Sequence, residues 1–217
     1  MSAIFLDLDG TLIDPKVGIT GSIQHALAEM GADVPLADEL DWCIGPPLWD
    51  SFRVLMGAHA DVETAVALYR EHFTDKGMYQ ADVYDGIGEM LQDLRETGFP
   101  LFIATSKPHA YASTIAEHFG ISHFVDGLFG SELDGTHSDK TDLLAHALAE
   151  TGVDPFRSLM IGDRRFDIEG AQNNDIPTIG ALWGYADEGE LHLAEADALA
   201  GAPGDVPEIA SEMLDLD

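Results

Sequence analysis

The chain has 217 residues, 46% of them apolar, enough for a packed core in one large domain or in a domain carrying a sizeable insertion. Its 40 acidic side chains against 10 basic ones give a formal net charge of -30, a field that repels polyanions and excludes a nucleic-acid polymer or an anionic membrane as partner. Cys43 is the sole cysteine, so no internal disulfide forms; no apolar run reaches the about 20 residues that span a bilayer, and the opening MSAIFLDLDG has no basic leader, so a cytoplasmic monomer or homodimer is expected.

Residues 3–8 form a short apolar run closed by carboxylates and Gly10, which predicts a buried strand stopping at a loop. From residue 15 to 84 the apolar spacing is helical, as in Ile23-Leu27-Met30 and Val62-Val66-Tyr69-Phe73, with Pro46 and Pro47 interrupting it by a loop. Helical patterns follow at 86–97, 108–119, 140–150 and 164–173, and short apolar runs separate them at 100–104, 124–129, 158–161 and 176–179. An acidic tail with a turn at Gly201 and Pro203 adds one last short strand and a closing helix. This alternation predicts an α/β fold, a Rossmann-like parallel sheet core with helices on both faces. The core takes residues 1–14 and 85–217, and residues 15–84 are a helical insertion.

Ligands of such a sheet bind beyond the carboxyl ends of its strands, so chemistry is expected just after each apolar run. The first run delivers Asp7 and Asp9 in DLDGT; the second delivers Thr105, Ser106 and Lys107 in ATSKP. A later run delivers Asp163 and Asp167 in GDRRFD, and Lys140 opens the helix before it. Clustered carboxylates raise one another's pKa unless a cation joins them, and Mg2+ suits carboxylate and phosphate oxygens. A carboxylate beside such an ion can attack phosphorus and form an aspartyl phosphate. A second acid two residues along an extended segment has its side chain on the same side, where it can protonate the leaving alcohol. Thr105 and Ser106 offer hydroxyls and N–H groups near an expected helix start, an anion site, and Lys140 offers a full charge. The 9 histidines show no metal-ligand spacing.

In order and spacing, DLDGT at 7–11, the strand ending at Thr105, Lys140 and GDRRFD at 162–167 resemble the four motifs of the haloacid dehalogenase superfamily of phosphatases. The resemblance implies Asp7 as nucleophile, Asp9 as general acid/base, and Thr105 and Lys140 as phosphate-binding groups, to which the residue reading adds Ser106. It implies that Asp163 ligates Mg2+ with the Asp7 carboxylate and the Asp9 main-chain carbonyl, while Asp167 acts through water or Lys140. The helical insertion is similar to the family's mobile cap. Within the superfamily, GPPL at 45–48, ATSKP at 104–108 and SELDGTHSDK at 131–140 resemble the phosphoglycolate phosphatase-like branch, some members of which are 5'-nucleotidases. That implies a small phosphorylated metabolite as substrate, with nucleoside monophosphates, or a sugar phosphomutase of the β-phosphoglucomutase type, as alternatives. Trp49 and Arg53, in GPPLWDSF, fall where the branch reads its substrate; members often carry a basic residue at the position of Trp49.

Overall fold

A computed structural model describes residues 2–57 and 59–214. In chain order it shows β1 (Ile4–Leu6), β2 (Ile13–Asp14), α1 (Lys16–Glu29), α2 (Leu48–Met56), α3 (Val62–Asp75), β3 (Asp82–Val83), α4 (Ile87–Glu96), β4 (Leu101–Pro108) and α5 (His109–His118). There follow β5 (Gly127–Ser131), α6 (Lys140–Thr151), β6 (Leu159–Gly162), α7 (Arg165–Gln172), β7 (Thr178–Ala181), α8 (Glu190–Leu193), β8 (Ala198–Ala200) and α9 (Val206–Met213). The chain divides into two compact units: one runs to Ile13 and resumes at Val83, and the other is Asp14–Asp82.

The first unit is a parallel sheet of six strands in the order β5-β4-β1-β6-β7-β8, with helices around it. Ile4, Phe5 and Leu6 are fully buried, as a continuous apolar run in a central parallel strand must be, and each such burial contributes roughly 1.5–3 kcal/mol. Phe5, Ala104 and Met160 from neighbouring strands join Leu143, Leu144 and Ala147 of α6 and Ala171 of α7 in one core cluster. Strand β1 has β4 on one side and β6 on the other, Leu6 facing Ile103 and Ile161, so the strand order reverses there. This switch point is where an open α/β sheet leaves a crevice for ligand.

Two elements differ from the sequence reading. Strand β4 does not stop at 104 but runs on to Pro108, and α5 starts only at His109. The residue before a proline is disfavoured in the helical region, which keeps Lys107 extended. The strand expected at 124–129 begins later, at Gly127. The Asp126 carboxylate accepts the Leu101 amide at 2.9 Å, so the ladder between β4 and β5 opens only beyond it.

In the second unit α1 packs on α3, and Ile23, Leu27, Val66, Tyr69 and Phe73 are buried as their helical spacing predicts. Asp61 caps α3, accepting the Thr64 amide at 3.2 Å. A polar stitch joins the helices: Ser22 Oγ donates to the Gly18 carbonyl at 2.7 Å, and His72 Nδ1 lies 3.0 Å from Ser22 Oγ. The contact between Ser22 Oγ and His72 Nδ1 ties α3 to α1. Its ring also stacks on His25, centroids 4.7 Å apart. Burial first, then His25 and Lys76, hold the His72 pKa below its ordinary 6.5, with Asp75 opposing. The unfolded chain therefore binds this proton more readily, and the histidine's contribution to stability is lost as pH falls from 6.5 through the depressed folded value. Thermal melts at about pH 7.5 and about pH 5.5 are expected to show a larger acid loss for wild type than for His72→Gln. Equal losses in the two proteins would remove His72 from this account.

Candidate active site

Where β1 ends, the ladder continues for one more bond, the Asp7 amide donating to the Ile161 carbonyl at 2.9 Å. The chain then turns tightly, with Gly10 N–H to Ile13 O at 2.8 Å and Ile13 N–H to Leu8 O at 3.1 Å. The turn needs φ of +84° at Gly10, a left-handed value that glycine adopts without strain. It keeps Asp7, Asp9 and Thr11 buried. Next to it, β6 ends at Gly162 and presents Asp163, which has no solvent exposure. The first turn of α7 presents Asp167, whose Oδ2 accepts the Arg164 amide at 3.1 Å.

Lys140 is the first residue of α6, and the helix start is fixed by Asp139, whose Oδ1 accepts the Thr141 amide at 2.9 Å. The Lys140 ammonium donates to Asp7 Oδ1 at 3.0 Å, to Asp167 Oδ1 at 2.7 Å and to the Ala104 carbonyl at 2.8 Å. An ammonium has three donors, and all three are used. From β4, Lys107 Nζ reaches Asp9 Oδ2 at 2.7 Å. Asp9 Oδ1 is buried without a hydrogen-bond partner among the described residues.

Four buried carboxylates thus face two buried ammonium groups, leaving two negative charges in excess when all are ionised. Burial raises the Asp163 pKa well above the usual carboxylate value, and the charges of Asp167 and Asp7 raise it further; the Tyr185 amide and Thr11 hydroxyl offset only part. Asp167 is pushed up to about 6 by burial, against the pull of Lys140. Asp9 is raised by burial, with Lys107 opposing. For Lys140 burial works downward, yet Asp167 and Asp7 outweigh it and the pKa is raised. Asp7, Asp163 and Asp167 each offer a carboxylate oxygen, all within 4.8 Å of one another. A hard divalent cation fits this donor set: the ligands are oxygens, and the buried carboxylates around them carry two negative charges in excess.

The structure brings Asp7, Asp9, Lys140, Asp163 and Asp167 together. Thr105 is buried on β4, its Oγ1 accepting the Lys107 amide at 3.3 Å, whereas Ser106 is partly exposed and its carbonyl accepts Ser131 Oγ at 2.8 Å. Neither residue sits at a helix start, because β4 continues through both. Trp49 and Arg53 lie on α2 of the helical unit. Trp49 Nε1 donates to Glu63 at 3.0 Å beneath the Arg70 guanidinium, 4.9 Å from the ring, and Arg53 pairs with Asp50 at 2.6 Å. Sequence reasoning left the partnership of Lys107 with Asp9 unseen; period-two alternation puts Lys107 on the same side of the strand as Thr105 but does not name its partner.

A Rossmann-like sheet with buried carboxylates and lysines gathered at its switch point is an arrangement suited to phosphoryl chemistry. Residues 4–181 match the model of the haloacid dehalogenase-like hydrolases, and the chain belongs to that family as one of its phosphatases. A 5'-nucleotidase of Pseudomonas aeruginosa is 44% identical over 189 residues, spanning 87% of this chain and 86% of that protein. The tyrosine-protein kinase PtkA of Mycobacterium tuberculosis is 41% identical over 182 residues, 84% of this chain, but the match spans only 62% of PtkA. Among solved structures, a predicted phosphatase from Clostridium acetobutylicum superposes with a TM-score of 0.91 at 36% identity, covering 99% of each chain.

Proposed function

We propose that this phosphatase hydrolyses small phosphate monoesters through an aspartyl phosphate on Asp7 and depends on Mg2+. The observation that carries the reading is the Asp7–Lys140–Asp167 network beside Asp9 and Asp163. Lys140 holds Asp7 Oδ1, which fixes the carboxylate and leaves its other oxygen to attack phosphorus. As that P–O bond forms, the ester P–O bond breaks, and Asp9 passes a proton to the departing alkoxide. Burial raises the Asp9 pKa and so favours the acid form this step needs. Asp9 then takes a proton from water attacking the aspartyl phosphate, which releases phosphate and restores Asp7. Asp7, Asp163 and the main-chain carbonyl of Asp9 would hold Mg2+, which when bound neutralises the excess carboxylate charge and that of the phosphoryl oxygens. Asp167 keeps Lys140 in place, and Thr105 and Ser106 lie on the strand that borders the phosphate. Residues 1–14 and 85–217 act as the catalytic core and 15–84 as the cap, with Trp49 and Arg53 as its substrate-reading side chains.

Phosphoglycolate is the substrate that the sequence motifs favour. A second reading, nucleoside monophosphates, is supported by the Pseudomonas aeruginosa relative at 44% identity, against 27% for a phosphoglycolate phosphatase of Aquifex aeolicus. Phosphate release should be measured from phosphoglycolate, nucleoside monophosphates, sugar phosphates and pyrophosphate, each with Mg2+ and with EDTA. Release is expected only with metal, and the preferred ester then decides between the readings. Isomerisation of a sugar phosphate with little free phosphate would indicate a mutase instead. No release from any ester by folded protein with Mg2+ present would overturn the proposal.

A further inference from the structure

The chain beyond β7 re-enters the site. Strand β7 pairs with β6, so the turn Trp183-Gly184-Tyr185 that follows it lies beside the strand end carrying Asp163. Trp183 Nε1–H donates to the main-chain carbonyl of Thr11 at 3.0 Å. The Tyr185 amide donates to Asp163 Oδ2 at 2.8 Å, and Thr11 Oγ1 donates to Asp163 Oδ1 at 3.1 Å. One turn therefore grips two loops, one holding Asp7 and Asp9 and the other Asp163. Both oxygens of a carboxylate without solvent exposure are oriented by neutral donors, and each keeps a lone pair for another contact.

Gly184 is wedged between these loops. A Cβ there would overlap Cβ and Oδ2 of Asp163 and the Gly10 carbonyl, closer than Cβ atoms come in real proteins. A turn that merely closed the fold would not need its backbone pressed against a carboxylate oxygen. None of these contacts takes part in the chemistry proposed above.

We propose that the Trp183-Gly184-Tyr185 turn is a positioning element, fixing the Asp163 carboxylate and the 7–11 loop at the mutual spacing a bound divalent cation requires. This rests on the reading of Asp163 as a metal ligand. Groups that orient a metal ligand typically govern affinity by 10–100-fold.

The test is calorimetric titration of Mg2+ into the full chain after EDTA stripping. Gly184→Ala is expected to weaken Mg2+ binding by about 10–100-fold. Trp183→Phe, which keeps an aromatic side chain but loses the five-membered ring with its N–H, is expected to weaken it by about fivefold. With Mg2+ saturating, the KM for substrate should stay at the wild-type value in Trp183→Phe. Val206→Ala, buried in α9 and not among these contacts, serves as a stability control and should lower Tm with Mg2+ affinity unchanged. Folded Gly184→Ala with wild-type Mg2+ affinity would overturn the proposal; if that variant does not fold, wild-type affinity in Trp183→Phe would do so. Failure of the underlying reading looks different: wild type would bind no Mg2+, or Asp163→Asn would bind it as well as wild type.

Discussion

Replacing Asp7 with Asn is expected to reduce turnover of phosphate monoesters by at least about a thousandfold while leaving the chain folded. Asparagine keeps the shape of the side chain but replaces a carboxylate nucleophile with a weakly nucleophilic amide. Loss of folding is not expected, because Lys140 retains Asp167 at 2.7 Å and the Ala104 carbonyl at 2.8 Å. The Asp7 charge also raises the pKa values of Asp163, Asp167 and Asp9, so removing it relieves repulsion among buried anions. Metal-free Asp7→Asn should therefore melt no lower than metal-free wild type. Phosphate release and thermal melts on the same preparations check both halves. Turnover near the wild-type rate would remove Asp7 as the nucleophile; a large fall in Tm would mean that the activity loss reports unfolding.

Much of this site is legible before any coordinates because each carboxylate follows an apolar run. In a parallel sheet the ends of β1, β4 and β6 lie side by side, so Asp7, Asp9 and Asp163 converge although the chain separates them widely. The helical stripes of residues 15–84 are legible for the same kind of reason, since the period of burial is written in the spacing. What resists reading is register between elements. Lys107 meets Asp9 only because β4 stays extended past Thr105, and sequence reasoning ended that strand too early. Ser22 meets His72 only through the particular alignment of α1 on α3. Thr11 and Trp183 meet across most of the chain, and no local pattern announces a contact of that range. The late start of β5 has a similar origin, since Asp126 gives its carboxylate to the amide of Leu101 on another strand.

Replacing Lys140 with Met should cost about 3–5 kcal/mol of stability at neutral pH and also abolish turnover. Methionine nearly preserves the side-chain volume, so packing is not the main loss. The loss is electrostatic: Asp7 and Asp167 are left buried without the ammonium that bridges them, and the Ala104 carbonyl loses its donor. The size of the effect should depend on pH in a direction that can be worked out. With Lys140 present the Asp167 pKa is about 6, raised from 3.8, and Lys140 is a force holding it down. Without Lys140 it rises further, so the folded variant binds a proton that the unfolded chain releases. Stability of the variant then falls as pH rises from 3.8 through the raised folded value; wild type shares this fall only up to about pH 6, so the variant's deficit widens as pH rises above about 6. Asp167→Asn placed on top of Lys140→Met should recover much of the lost Tm without restoring turnover. Denaturant melts of the two single variants and the double variant form a cycle that isolates the coupling. Additive effects in that cycle, or a Lys140→Met melt indistinguishable from wild type at neutral pH, would show that the ammonium does not hold these carboxylates together.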